Sequence, residues 1–177
     1  MANAEMAEAI VVRPVQPDEY EEAGRITALA YEEFVRPGDD EADWRKYLGQ
    51  LADVANRIDR TVVLVAVAEA GGRIVGCVTI EEDDVIGDDD IEPEPDASHI
   101  RMLGVDPSAR GRGIGRVLME ASIARARDLG KHFVTLRTTE RMLPAQAMYR
   151  AMGFDPDPDH DIVFDNDFRL IAYRLTL

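Results

Sequence analysis

Apolar positions along the chain change period several times, and each change marks a new element. Residues 10–15 form a short β-rich run. Beyond Pro17 and Asp18, a stripe of Tyr20, Ala23, Ile26, Thr27 and Ala30 recurs every three or four residues and predicts a helix. A second helical stretch opens over residues 39–43, with Trp44, Tyr47, Leu48, Leu51 and Val54 on one face. Residues 61–68 form a continuous β-branched run, Gly71 and Gly72 supply a turn, and residues 73–80 form a partner run, so an antiparallel hairpin is predicted. Strands are predicted over 98–105 and 133–138, with a helix over 113–129 between them. A last helix carries Pro144 in its first turn, takes its cap from Thr138 or Thr139 and ends at Gly153. A closing strand starts at Phe154, and the final strand covers 168–175.

Composition narrows the setting. A chain of 177 residues is expected to be a single domain over 1–177, with residues 1–9 frayed. Hydrophobic residues make up 46% but form no long run, which excludes a spanning segment, and residues 1–9 fit neither a secretory signal nor an arginine-rich transit peptide. The lone cysteine, Cys77, sits in an apolar strand, where a buried inert thiol is expected, so the redox picture is intracellular and the expected location cytoplasmic. A net charge of -15 disfavours nucleic acid and anionic membranes and leans towards cationic partners. Residues 81–96 hold ten acids and no basic residue, either as a solvated loop or as a mouth that attracts a cationic amine. Aspartate alternates over 155–161, but a calcium loop would need glycine and glutamate where His160 and Asn166 stand, so a polar loop is expected and no metal is implied.

Against this acidic background, residues 101–116 contain four arginines and one acid. The run His99-Ile-Arg-Met-Leu-Gly-Val-Asp-Pro-Ser-Ala-Arg-Gly-Arg-Gly-Ile-Gly-Arg116 passes from strand through a glycine-rich turn into a helix. Gly111, Gly113 and Gly115 permit positive φ and close approach by an anion. The free amides of the helix start favour a phosphate there. Neither the Walker pattern, which needs a lysine, nor the dinucleotide fingerprint matches the spacing.

The stretch Val105-x-Pro107 followed by Arg110, Gly113 and Gly115 resembles the acyl-CoA loop of the GNAT-type N-acetyltransferases. A second block, from Ala145 through Tyr149 to Gly153 and Phe154, is similar to that family's alanine-tyrosine-glycine-phenylalanine segment. The two blocks have the right separation, and the resemblance spans residues 61–177. It implies an α/β (α+β) fold with a mixed, mostly antiparallel central sheet flanked by helices and splayed between the CoA strand and the next. The glycine in that strand, Gly104, would mark a bulge or a close approach. Backbone around Leu103, Gly104 and Val105 would bond the pantetheine arm, and Arg110, Gly111, Arg112, Gly113, Ile114, Gly115 and Arg116 would hold the pyrophosphate. Tyr31, Phe34 and Trp44, on the first two helices, would help shape acceptor specificity.

The implied reaction moves an acetyl group from acetyl-CoA to a primary amine by direct attack. A protonated alkyl amine has a pKa of about 10.4 and the leaving thiolate resembles cysteine at about 8.5, so a base and an acid are useful. By resemblance, Tyr149 is the acid. His99 stands where the family often has a glutamate and is the expected base, with Glu81 and Glu82 as rivals; His132 and His160 fall in loops facing solvent. Met142 departs from the family's asparagine, whose amide helps hold the cofactor. The expected acceptor is a cationic small amine, an aminoglycoside or a protein amino group, and a homodimer is among the expected assemblies. A different class, an acyl-CoA-binding sensor or assembly module with little turnover, fits the same motifs.

Overall fold

The computed structural model describes residues 9–82, 94, 96–164 and 168–177. Its strands are β1 (Ile10–Pro14), β2 (Val62–Ala68), β3 (Arg73–Glu81), β4 (Ala97–Val105), β5 (Phe133–Thr139), β6 (Asp155–Pro156), β7 (Ile162–Val163) and β8 (Arg169–Thr176). The helices are α1 (Tyr20–Glu32), α2 (Glu41–Ala52), α3 (Val54–Arg57), α4 (Ile114–Asp128) and α5 (Leu143–Ala151). The strands join in one sheet in the order β1, β2, β3, β4, β5, β8, β6, with β7 also on β8. Every pairing is antiparallel except β4 with β5.

Helices cover both faces. Leu118, Met119, Ile123 and Ala126 of α4 and Tyr149 of α5 pack with Leu64, Val78, Ile100, Val134 and Leu136 on one side. Ala23 and Ile26 of α1 and Val54 of α3 pack against Val63, Val65 and Cys77 on the other. Each fully buried leucine or isoleucine in these layers contributes about 1.5–3 kcal/mol over exposure. Cys77 is buried, as its apolar run predicts, and burial raises the pKa of its thiol.

The hairpin, β4, β5, α4 and β8 fall within a residue or two of the predicted spans. The helix start at Pro17 is a 3-10 turn, Pro17–Glu19, that leads into α1. The second helical stretch breaks at Asp53, whose side chain accepts a hydrogen bond from the Asn56 amide and starts α3. Thr138 and Thr139 do not cap α5: both belong to β5, and the cap position is Met142, without a side-chain bond. Nor are residues 155–161 only a loop, because β6 and a 3-10 turn, Pro158–His160, lie within them and β7 follows, with both short strands on β8. The acidic run falls mostly, and the N-terminal eight residues wholly, outside the described residues.

Two features of β4 create the site. Cys77 and Thr79 of β3 pair with Gly104 and Arg101, so two β4 residues, Met102 and Leu103, oppose Val78 alone. This is a β-bulge, and Met102 takes a φ of 52° within it. On the other edge, β4 pairs with β5 only from Ala97↔Phe133 to Ile100↔Leu136, after which the strands part. Gly104 serves the close approach rather than the bulge itself: a Cβ there would lie 3.0 Å from Thr27 Cα and 3.2 Å from Ala30 Cβ of α1.

Candidate active site

The parted strands open a cavity of about 720 Å³. It is bounded by the end of α1, residues 100–105 of β4, the turn before α4, the end of β5 and the start of α5. That size lies within the ordinary range for small-ligand sites.

At one end stands the glycine-rich turn. Asp106 starts it by accepting hydrogen bonds from the Ser108 amide (2.8 Å) and hydroxyl (2.7 Å), and its own amide donates to the Val75 carbonyl. Gly111 and Gly113 have φ of 75° and 76°, where L side chains are strained, and a Cβ on either would meet nothing within 4 Å. Gly113 is the cap residue of α4, a helix of fifteen residues, so its first free amides and the positive end of its dipole face this open ground. Arg110 and Arg116 line the same end, each already held by an acid: Arg110 donates to Glu33 at 2.5 Å, and Arg116 to Glu120 at 2.9 Å. An open cradle without Cβ atoms, amides at a helix start and flanking guanidiniums fit a diphosphate. Leu103 and Val105 of the separated β4 edge line the cavity beside it, and Gly104 lies between them.

Tyr149 lines the cavity from the α5 side. Its ring lies 6.0 Å from those of Phe154 and Tyr173, and it is 6% exposed. Burial, with a small addition from Tyr173, drives the phenol well above its ordinary pKa. The hydroxyl has no hydrogen-bond partner among the described residues. Tyr173 is instead tied down, donating to Gln146 Oε1 at 3.1 Å while the Gln146 amide donates to the Thr139 carbonyl at 2.9 Å. Gln146 thereby spans the β5–α5 corner and fixes the helix that carries Tyr149. Only its burial against an aromatic neighbour shows this, and no sequence motif signalled it.

The expected base is not at the cavity. His99 lies on the sheet face turned away from α4, its Nδ1 2.9 Å from Thr135 Oγ1, and is absent from the cavity wall. Burial first, then the charges of Arg137 and Arg101, lower its pKa to about 3. An imidazole that weakly basic does not take a proton from an amine near neutral pH. Its rivals are engaged elsewhere: Glu81 accepts from Arg101 at 2.8 Å, and Glu82 pairs with Arg125 of α4. His132 and His160 are exposed and pair with Asp96 and Asp157.

Tyr31 and Phe34 line the cavity from the end of α1, while Trp44 lies behind them. Met142 packs beside Tyr31, Leu51 and Met102, and its sulfur accepts from the Thr138 hydroxyl at 3.4 Å. The thioether thus belongs to an apolar bridge between α5 and the α1–α2 layer. Among the described residues, charge on the wall opposes the charge of the whole molecule: Arg36, Arg101, Arg110, Arg116, Arg137 and Arg141 line it, against Glu33 as the one acid. The cationic acceptor expected from the net charge of -15 therefore has no acidic pocket here among the described residues.

A sheet parted beside a helix-start anion cradle, with a phenol at the parting, gives a cleft with an anion-holding end and a proton-bearing hydroxyl. The acetyltransferase (GNAT) family model matches residues 23–154, and the chain belongs to that family. Among curated relatives, a mycothiol acetyltransferase of Thermobifida fusca is 39% identical over 92 residues, covering 51% of this chain and 28% of the relative. Another, of Pseudarthrobacter chlorophenolicus, is 29% identical over 160 residues, covering 87% and 45%. The chain thus spans less than half the length of these relatives. In fold it is similar to the PaiA N-acetyltransferase of Thermoplasma acidophilum in complex with coenzyme A (TM-score 0.71, 13% identity, 94% and 99% of the two chains). It is also similar to YncA of Salmonella typhimurium with its cofactor acetyl-CoA (TM-score 0.64, 20% identity, 96% and 94%).

Proposed function

We propose that the chain transfers an acetyl group from acetyl-CoA to a primary amine by direct attack. The observation that carries this reading is the junction of the Gly111 to Arg116 anion cradle, the parted β4 edge and the Tyr149 hydroxyl in one cavity. Acetyl-CoA supplies an activated thioester carbonyl when bound. The backbone of the glycine turn and the start of α4 hold its diphosphate, with Arg110, Arg112 and Arg116 adding positive charge. The unpaired edge of β4 at Leu103 to Val105 aligns the arm between the strands.

The amine nitrogen bonds to the carbonyl carbon as the carbon–sulfur bond breaks. Tyr149 gives its proton to the departing sulfur and regains one from the nitrogen, directly or through water, so the products are an amide and a thiol. A phenol kept protonated by burial is available as an acid across the neutral range. No side-chain base is assigned. The amine sheds its proton to water before attack. The mycothiol acetyltransferases among the relatives support acetyl transfer as the reaction.

Thiol release from acetyl-CoA across an amine panel tests this reading. Release that depends on an amine is expected; binding of acetyl-CoA with no release from any amine would assign the fold to a sensor or assembly module.

A further inference from the structure

Plain alternation along β4 would carry Met102 into the α4 layer with Ile100. Instead Met102 packs beside Ala30, Tyr31 and Leu51 of the α1–α2 layer, and it is Leu103 that joins Ile100 in the α4 layer. The bulge makes this switch, and it holds Met102 at a φ of 52°, a strained value for a residue with a side chain. Strain of this kind persists only where the surroundings enforce it, and it gathers at ligand sites.

The switch completes an apolar stretch of the cavity wall. Met102 lines the cavity together with Tyr31 and Phe34 from the end of α1 and Met142 from the cap of α5. The two rings meet edge to face with centroids 6.3 Å apart, and both thioethers pack against the cluster that holds Tyr31. Tyr31 is buried, while Phe34, Met102 and Met142 are half-buried. The bond from Arg141 to the Phe34 carbonyl at 2.9 Å ties the α1 side of this stretch to the α5 side.

The charges beside these four residues are already engaged. Arg101 and Arg141, their neighbours in sequence, pair with Glu81 and Asp39. Among the described residues Glu33 is the one acid on the wall, and it accepts from Arg110 of the glycine turn at 2.5 Å. Aromatic rings and thioethers gain most by covering apolar surface, and an unbranched thioether adjusts to its shape. The stretch also adjoins the reaction, because Met102 stands two residues past Ile100, the last β4 residue paired with β5.

We propose that Tyr31, Phe34, Met102 and Met142 seat an apolar group of the acetyl acceptor, an aromatic ring or an alkyl chain of similar size attached close to the attacking nitrogen. The proposal rests on the transferase reading above and deepens it by assigning the acceptor's chemical class. The strained turn at Met102 is what brings a thioether to this seat.

The test compares phenethylamine, ethylamine and putrescine as acceptors for wild type, Phe34→Ala and Met102→Gly, with each fold checked by circular dichroism. Glycine accepts the φ of Met102 without strain, so that variant removes the side chain and spares the bulge. Phenethylamine should have kcat/KM at least about tenfold above both other amines. Each variant should cut that advantage at least about fivefold and leave KM for acetyl-CoA within about twofold. Calorimetry of N-acetylphenethylamine on the CoA-bound protein, read without turnover, should show binding that the variants weaken. Ethylamine or putrescine that matches phenethylamine, or an advantage that survives in both variants, overturns the apolar seat and leaves the transferase reading standing. If no amine releases thiol, the transferase reading fails, and absence of N-acetylphenethylamine binding then overturns the seat as well.

Discussion

Arg141 and Asp39 form a two-point clamp, with the guanidinium donating to the two carboxylate oxygens at 2.6 and 2.8 Å across 102 residues of sequence. Arg141 precedes α5, and Asp39 lies in the turn between α1 and α2. The clamp fastens that turn across one side of the cavity, helped by a bond from Arg141 to the Phe34 carbonyl at 2.9 Å. Asp39 also accepts from the Trp44 indole at 2.9 Å.

Trp44 is the sole tryptophan, so its emission reports directly on the clamp. The Arg141 bonds, followed by the Arg36 amide, depress the Asp39 pKa well below the ordinary carboxylate value. A depressed folded-state pKa contributes stability that is present above the unfolded value of about 3.9 and lost as pH falls through the folded value. Emission should therefore hold steady from pH 8 to about 5 and change only in stronger acid, whereas Asp39→Asn should show the altered emission already at pH 7. A fluorescence titration of both proteins checks this.

Tyr149→Phe removes the proposed proton donor but keeps the ring between Phe154 and Tyr173. Its kcat should fall by about 100-fold or more while acetyl-CoA binding stays within about twofold. Because burial raises the Tyr149 pKa, the wild-type rate should show no alkaline fall from this group below about pH 10. Stopped assays across pH, paired with calorimetry of acetyl-CoA, measure both quantities.

Gly113→Val would force a β-branched residue to φ 76° at the start of α4, at a cost of roughly 1–2 kcal/mol, and would place methyl groups in the anion cradle. Weakened acetyl-CoA affinity, by at least about tenfold, is expected with the secondary structure retained. Calorimetry together with circular dichroism separates loss of the cradle from loss of the fold.

Arg57 makes a structural rather than a chemical use of a buried charge. It is 8% exposed and donates to the carbonyls of Gln50, Leu51 and Asp53 at the end of α2 and to Thr79 of β3. Arg57→Met should destabilise the protein by about 2–4 kcal/mol, because carbonyls at a helix end lose their donors inside the core. Urea denaturation gives the value, and the acetyl-CoA affinity of the folded variant should be little changed.

Much of this arrangement is legible along the chain because hydrophobic period reports directly on strand and helix. The glycine turn can be read as well, since Gly111 and Gly113 answer a local backbone demand. His99 shows where such reading stops. Alternation places it on the same face as Arg101, which lines the cavity, but His99 lies where β4 is still paired with β5, and the point at which the strands part is settled by tertiary packing. Net charge misleads for a similar reason: acids far outnumber bases in the chain, yet the fold gathers arginines from four separate segments onto one wall. Gln146 and Arg57 belong to no motif, and their partners lie 4 to 27 residues away.

The unmatched residue in β4 has a consequence for insertions and deletions. Shortening the Met102–Leu103 step by one position would let the strand run in plain register along β3, keeping Gly104 opposite Cys77 but removing the kink in β4 and drawing its edge back towards β5. Such a protein could keep its hydrophobic layers and melt normally while its central slot was zipped shut. Substitution in this strand is thus far safer for the molecule than any change in its length.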